Sequence, residues 1–321
     1  MMKNKMKILF TSVGRRVELL QEFKKASIEA NIDLTIIGTD CTDTAPALSY
    51  CDMHFITCKI RDIDYIPQLL NICKENKVDA LIPTIDTDLQ ILSENKNLFK
   101  DINTKVIVSD PYQISICRDK RLTAAFFNKI GINTPTPIDN VNFYNLGFPA
   151  FIKPKDGSSS INTFKADNLE ELLTYAKEVP DYIIAPFISG VEYTVDVLTD
   201  LDGKPVFITP RIRLAVRSGE ILKTQIVNDE TIIDETIKII NEYKPIGPIT
   251  IQLIRDNKTN KDYFIEINPR FGGGAPLSMK AGANSALALL KILNGEKIKY
   301  IPNAAYNNAI FCRYDQSIRV K

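Results

Sequence analysis

Between residues 6 and 109 the apolar positions fall into short, nearly unbroken runs separated by stretches of helical periodicity. Lys7-Ile8-Leu9-Phe10-Thr11-Ser12-Val13 is β-rich and ends at Gly14; behind it Val17, Leu19, Leu20 and Phe23 gather on one side of a helix. Runs at Leu34 to Asp40 and at Met53 to Thr57 follow, then helical spacing over residues 63–74. A run at Val78 to Pro83, a helix predicted from about Thr87 to Leu98, and a run at Lys105 to Val108 complete the set. Strands that are apolar on both faces and alternate with helices specify a parallel sheet covered on two sides. A Rossmann-like layer is therefore expected over about the first 110 residues.

The pattern then changes. Asn133-Thr134-Pro135-Thr136-Pro137 is extended, because the residue before each proline is pushed out of the α region. It leads to an apolar strand at Phe148 to Ile152, a small-residue loop, a helix at about residues 169–179 and a strand at Tyr182 to Ala185. In the last third Tyr193 to Leu198, Ile249 to Leu253 and Tyr263 to Asn268 alternate with period two, and the turn around residues 256–261 joins the last two as a hairpin. Pro276, after a glycine run, opens a helix predicted to continue through about Leu293 and to stop at Gly295.

Composition narrows the chemistry. A chain of 321 residues corresponds to about two domains. With 40 Lys+Arg against 39 Asp+Glu there is no net field to gather nucleic acid or an anionic membrane, and neither is expected as a partner. No apolar run approaches the ~18 residues of a membrane span. Ile8-Leu9-Phe10 is too short for the apolar core of a signal peptide, so a cytoplasmic location is expected. The six cysteines include no C-x-x-C pair and read as reduced thiols. His54 is the only histidine, and it lies in a predicted strand. That removes a Ser-His-Asp triad without it and any His-rich zinc or iron site. The chemistry left runs on Lys, Arg, Asp, Glu, Asn, backbone amides and metal ions.

Candidate positions follow from these constraints. Gly14-Arg15-Arg16-Val17-Glu18 keeps one of the three glycines of G-x-G-x-x-G, leaving a nicotinamide-dependent dehydrogenase with only Asp40 in its favour. Arg15 and Arg16 occupy the strand-to-helix turn where open α/β sheets bind ligands, although a solvated basic turn is the plainer reading. Period two puts Glu266 and Asn268 on one face of their strand, opposite Ile265 and Ile267, with Gln252 on the polar side of the partner strand. Hard oxygen donors on rigid strands suit Mg²⁺. Pro269-Arg270-Phe271-Gly272-Gly273-Gly274-Ala275-Pro276 follows at once, a guanidinium and three glycines leading to a helix start, which is an anion-binding arrangement. Lys153 ends an apolar strand just before Gly157-Ser158-Ser159-Ser160, whose small residues let backbone N–H groups approach a phosphate.

Taken in order, Asp119-Lys120, Phe148-Pro149 to Lys153-Pro154 with Gly157 to Ser160, Gly190-Val191-Glu192-Tyr193, Gln252, and Glu266-Ile267-Asn268-Pro269-Arg270 resemble the ATP-grasp superfamily. The run Asn268 to Gly274 is most similar to its carbamoyl-phosphate-synthase-large-chain-like members, in a short single-module form, and Leu81 to Leu89 resembles that group's pre-ATP-grasp domain. The resemblance implies an α/β, ATP-grasp fold with a Rossmann-like pre-ATP-grasp domain over residues 1–112 and an ATP-grasp domain over 113–321. The latter divides into an α+β lid subdomain at about 123–187 and a mixed-sheet large subdomain at about 188–321.

It also implies residue roles. Lys120 and Lys153 match lysines that hold ATP phosphates, and Gly157, Ser158, Ser159 and Ser160 match the lid loop. Ala185, Pro186, Phe187 and Ile188 match the hinge that reads adenine, and Glu192 the carboxylate on the ribose. Gln252, Glu266 and Asn268 match Mg²⁺ ligands, with two ions expected and one weaker because Gln252 is neutral. Arg270 matches the arginine that stabilises phosphoryl transfer. Relatives often have glutamate where Pro186 stands, so the base is expected to bind through the Ala185 carbonyl and the Ile188 amide. Substrate contacts are expected from Arg15, Asp86, Asp88, Gly272, Gly273 and Gly274, and from one of Arg211, Arg213 and Arg217. The implied activity is an Mg²⁺- and ATP-dependent ligase that activates a small carboxylate as an acyl phosphate and joins it to an amine, in a monomer or homodimer. A bicarbonate- or carbamate-activating enzyme and a non-catalytic nucleotide-binding protein are the alternatives.

Overall fold

The computed structural model describes residues 5–157 and 161–320. Strands β1 (Lys5–Thr11), β2 (Asp33–Asp40), β3 (Met53–Ile56), β4 (Ala80–Pro83) and β5 (Lys105–Val106) pair in parallel in the order β3-β2-β1-β4-β5. Helices α1 (Val17–Glu29), α2 (Tyr65–Asn76), α3 (Leu89–Glu94) and α4 (Lys96–Asp101) cover it. Alternate strand residues serve opposite faces: Ile8, Phe10, Ile36 and Ile82 join the α1 side, while Leu9, Ile37 and Leu81 pack with Leu69 of α2 and Leu92 of α3. The helix expected over residues 87–98 is broken at Asn95, whose backbone leaves the helical region at φ −105, ψ 10. Because β1 lies between β2 and β4, the loops after β1 and β4 open a crevice at the carboxyl ends of the strands, the usual ligand position in such sheets.

Helices α5 (Pro111–Arg118) and α6 (Lys120–Lys129) lead into a small unit of β6 (Ala150–Pro154), β7 (Phe164–Ala166), α7 (Leu169–Glu178) and β8 (Tyr182–Pro186). Its sheet has the order β7-β6-β8 and its own core of Ala150, Ile152, Ala166, Leu172 and Ile184.

Strands β9 (Gly190–Thr199), β10 (Pro205–Arg217), β11 (Glu220–Ile226), β12 (Pro248–Asp256), β13 (Asp262–Asn268) and β14 (Ile310–Cys312) make the third sheet, in the order β13-β12-β9-β10-β11-β14. Every pairing in it is antiparallel, where a mixed sheet was expected, because tight hairpins join β9 to β10, β10 to β11 and β12 to β13. Helix α8 (Glu230–Tyr243) packs on this sheet. The single helix expected from Pro276 to Leu293 is two, α9 (Ala275–Lys280) and α10 (Ser285–Leu293). Gly282 breaks it: its φ is +119, and a Cβ there would lie 2.5 Å from the Ala304 carbonyl oxygen. Asn284 then caps α10 by accepting from Leu287 N at 3.0 Å.

The first and third sheets share one core. Phe10 meets Phe23 edge-on at 5.0 Å, and Phe23 meets Phe271 at 5.8 Å, so β1, α1 and the segment after β13 are packed together. The crevice of the first sheet thereby faces the end of β13.

Candidate active site

A register slip sets the polar patch on the hairpin. Leu253 pairs with Phe264, but Gln252 pairs with Glu266, so Ile265 is the extra residue of a β-bulge. The bulge resets the alternation: Phe264 and Ile267 both enter the core, and Glu266 and Asn268 share the other face, as period two required of that pair. Asn268 Nδ2 donates to Glu266 Oε1 at 2.9 Å, which fixes both side chains and leaves Glu266 Oε2 and Asn268 Oδ1 as the oxygens free to take a cation. Gln252 stands opposite Glu266 on the neighbouring strand. Among the described residues no group of three or more His, Cys, Asp and Glu side chains is arranged for a metal. One carboxylate with two amide oxygens nevertheless fits Mg²⁺, which takes one or two protein carboxylates and fills the rest of its octahedron with phosphate oxygens and water.

Two lysines face this patch. Lys120 opens α6, and its Nζ donates to the Gly157 carbonyl at 3.0 Å while its amide donates to the Lys155 carbonyl at 3.0 Å. The loop after β6 is thus tied to the start of α6. Burial lowers the pKa of Lys120, with Glu266 and Asp156 pulling the other way. Burial pushes Lys153 down to about 8; Glu266 opposes that shift and Lys120 adds to it. Two desolvated ammonium groups and one carboxylate are therefore within electrostatic reach of each other. Asp86, Cys117, Lys120, Gly157, Glu266 and Asn268 line a narrow cleft of about 30 Å³. A roomier cavity of about 520 Å³ lies beside β5, lined by residues including Lys96 and Ile246, away from these groups.

At the end of β13, Arg270 reaches the loop after β4. Its Nη2 lies 2.6 Å and its Nε 3.2 Å from Asp86 Oδ2, with both side chains largely buried. Arg16, in the turn after β1, donates from Nη2 to the Thr84 carbonyl at 3.2 Å. Its pKa is lowered to about 10 by burial and by Arg270, against Glu220 and Asp86. The glycine run passes directly over these groups. A Cβ on Gly273 would lie 2.9 Å from Arg16 Nη1 and would collide with Glu220 Oε2; one on Gly274 would lie 2.6 Å from Arg211 Nη2. Only glycine allows the backbone that close.

Residues 178–310 match the family described as ATP-grasp in the biosynthetic pathway with Ter operon, and residues 8–107 match the PylC-like N-terminal domain. The C-terminal part of the chain is thus similar to the ATP-grasp family. It is 34% identical over 113 residues to a D-alanine--D-alanine ligase of Marinomonas sp. (strain MWYL1), covering 32% of this chain and 36% of that protein. It is 27% identical over 213 residues to a carbamoyl-phosphate synthase of Methanobrevibacter smithii, covering 64% of this chain and 55% of that protein. The chain thus spans about a third to about half of these relatives' lengths. The biotin carboxylase domain of Hydrogenobacter thermophilus 2-oxoglutarate carboxylase, solved with MgADP, ADP and bicarbonate, superposes with a TM-score of 0.75 at 19% identity. That match covers 97% of this chain and 74% of that one, and shows a shared fold.

At the hinge, the phase of a ladder decides which carbonyl faces outward. Phe187 N donates to the Pro149 carbonyl at 3.0 Å and Lys155 N to the Asp181 carbonyl at 2.9 Å, with Ala185 opposite Phe151. In an antiparallel pair these bonds make Ala185 and Phe151 a hydrogen-bonded pair, so the Ala185 carbonyl is turned to β6. The outward carbonyl is that of Pro186, opposite Ala150. The Ala185 carbonyl, expected to be free for the base, is thus engaged in the sheet, and the outward carbonyl belongs to Pro186, where a missing N–H is no handicap. Glu192 accepts from Arg213 Nε at 3.2 Å.

The three arginines of β10 part company. Arg213 also donates to Thr194 Oγ1 and the Gly219 carbonyl; burial lowers its pKa, with Glu192 and Glu266 among the charges it feels. Arg211 is fully buried, paired with Asp196 at 2.8 Å, which also accepts from Ser278 Oγ at 2.7 Å. Its Nη1 has no hydrogen-bond partner among the described residues. Arg217 is exposed and pairs with Asp315 at 3.1 Å, away from the cleft, after two register shifts in β10. Asp88 is also not in the cleft. It is buried beneath β1, accepting from Thr11 Oγ1 at 2.6 Å and Ser12 Oγ at 3.2 Å, with burial raising its pKa to about 6. Arg15 is exposed, and Arg16 is the one turned inward. Ser158, Ser159 and Ser160 lie outside the described residues. Cys117 and Glu220 had no signal in the sequence, because only tertiary packing brings them here.

Proposed function

We propose that this chain is an ATP-dependent ligase that phosphorylates a small carboxylate and joins the resulting acyl group to an amine. The observation that carries the reading is the approach of Lys120 and Lys153 to Glu266, with Arg270 held at the same end of β13 by Asp86. A carboxylate is a poor electrophile toward an amine; moving the γ-phosphoryl of ATP onto it creates a mixed anhydride with a good leaving group. That step assembles several anions, so positioning and preorganised positive charge supply most of the catalysis. Lys153 and Lys120 neutralise the triphosphate, the outward Pro186 carbonyl and Ile188 read the base, and Glu192 takes the ribose. Glu266, Asn268 and Gln252 would hold Mg²⁺, which would supply positive charge against the charge that moves during transfer. Gln252, being neutral, makes a second ion site the weaker one. Arg270 binds the carboxylate and then the acyl phosphate. Closure of the unit at about residues 123–187 keeps water from the anhydride.

The names of the relatives support the class: a D-alanine--D-alanine ligase and a carbamoyl-phosphate synthase both match parts of the chain. The match to the synthase covers more of the chain and favours bicarbonate activation as a second reading. Coupled ADP detection against a matrix of carboxylates and amines, with products identified by mass, separates the two. The ligase reading expects ADP only when an organic acid is present. ADP release with bicarbonate alone supports the second reading, and Mg·ATP binding with no release for any acid contradicts both.

A further inference from the structure

The cleft of about 520 Å³ beside β5 shares no lining residue with the one at Glu266, and its volume is that of a small-molecule site. Lys96 and Lys100 stand on α4, and Lys105, Val106 and Ile107 run along β5, the outer edge of the first sheet. Leu201 and Ile246 reach in from loops of the third sheet, before β10 and before β12. The two layers are already joined at this level. Ile246 N donates to Ser109 Oγ at 3.1 Å, and a Cβ on Gly247 would lie 2.6 Å from Ile107 Cγ2. The cleft is thus a preformed seam between them. Its lining divides by polarity. Val106, Ile107, Pro111, Leu201 and Ile246 are apolar. Lys96 is engaged, donating to the Val108 carbonyl at 2.9 Å and to Asp110 Oδ1 at 2.8 Å, and Glu94 accepts from Gln90. Lys100 and Lys105 are exposed and enter no ion pair among the described residues. Two unneutralised ammonium groups beside an apolar wall complement an anion with an apolar body. A neutral guest leaves the lysines uncompensated, and a bare ion leaves the wall wet.

We propose that this seam is a second binding site, for a small organic anion that carries one acidic group on an apolar body. Lys100 and Lys105 take the acidic group, and Val106, Ile107, Leu201 and Ile246 cover the body. Because the walls belong to the first and third sheets, an occupant bridges the two layers. Because no wall residue belongs to the cleft at Glu266, it binds with ADP in place. The inference stands on the seam alone and does not depend on the ligase reading.

The test uses 8-anilinonaphthalene-1-sulfonate, one sulfonate on an aromatic body, titrated by fluorescence into the whole chain at low ionic strength with saturating Mg·ADP. Saturation at about one dye per chain is expected. Lys100→Glu with Lys105→Glu is expected to weaken binding about tenfold or more, and Lys100→Arg with Lys105→Arg to keep it within about twofold. Lys177→Glu with Lys258→Glu reverses two exposed lysines elsewhere and is expected to leave binding unchanged. All four lysines are exposed, so thermal unfolding of each variant should match that of the unmodified protein. Octanoate should displace the dye about tenfold more effectively than 1-octanol, which lacks the charge, or acetate, which lacks the body. Several results would overturn the site: dye lost as Mg·ADP is added, equal weakening by both charge reversals, 1-octanol or acetate as effective as octanoate, or no saturable binding.

Discussion

Lys153 is the residue whose environment says most about its task. An ammonium pushed down to about 8 by burial is one that a phosphate can recharge. In the free protein it is half neutral near pH 8, and the anion prefers the charged form. Nucleotide affinity is therefore fully present below that pH and lost above it, by about tenfold between pH 7 and 9 if this lysine dominates. Titration calorimetry of ADP binding checks this, and Lys153→Arg should flatten the profile, whereas a flat profile in the unmodified protein argues against the role. Lys153→Ala should weaken ATP binding itself. Arg270→Ala should behave differently, abolishing ADP formation while nucleotide binding stays measurable, because the proposed role sets it against the developing acyl phosphate and not the resting nucleotide. Much of this scale was legible in the sequence. Glu266, Asn268 and Arg270 are close in the chain, and a two-residue period is enough to pair the first two. Arg16 and Glu220 are 204 positions apart by number, and nothing in local pattern joins them. The same holds for Asp88 and Arg217, whose side chains turn from the cleft through burial and bulges that local composition does not encode.

Elements show where pattern succeeds and where it slips. The parallel strands of the first layer and the β12–β13 hairpin follow from apolar runs and alternation. The breaks at Asn95 and Gly282 do not, because each interrupts a run whose helical periodicity continues across it. Helix α8 carries a further consequence. Glu235 Oε2 is buried with no hydrogen-bond partner among the described residues, and burial raises its pKa to about 7, with Asp262 and Asp229 adding and Arg255 and Lys238 opposing. The folded chain therefore holds this proton more tightly than the unfolded one. The contribution to stability is complete below the ordinary value of 4.5 and is lost as pH rises through about 7. Glu235→Gln should raise the Tm relative to the unmodified protein more at pH 8 than at pH 5. An equal difference at both pH values would remove this account of α8.

At the scale of the whole molecule, the site exists because two sheets share one core. Phe23 of α1 touches Phe10 of β1 and Phe271 beyond β13, so the packing that stabilises the chain also sets the crevice against Arg270. Phe23→Ala should cost about 3–5 kcal/mol, as for other buried aromatic truncations, with urea unfolding as the readout. It should also reduce acid-dependent turnover more than ADP affinity, since Lys120 and Lys153 do not depend on that junction. The three-sheet assembly itself was legible only through the order of the motifs. Strand β14 pairs with β11 across a long separation, and β10, β11 and β14 carry no distinctive period, so family resemblance supplied what local pattern could not.

The central claim is that the cleft transfers a phosphoryl group to an acid's own oxygen. Isotope transfer reads that directly. With an acid labelled with ¹⁸O in its carboxylate and hydroxylamine as acceptor, the released inorganic phosphate should carry one labelled oxygen per turnover, detected by mass or ³¹P NMR. Phosphate released at the same rate without label would mean that water, and not the acid, receives the phosphoryl group, and would contradict the account.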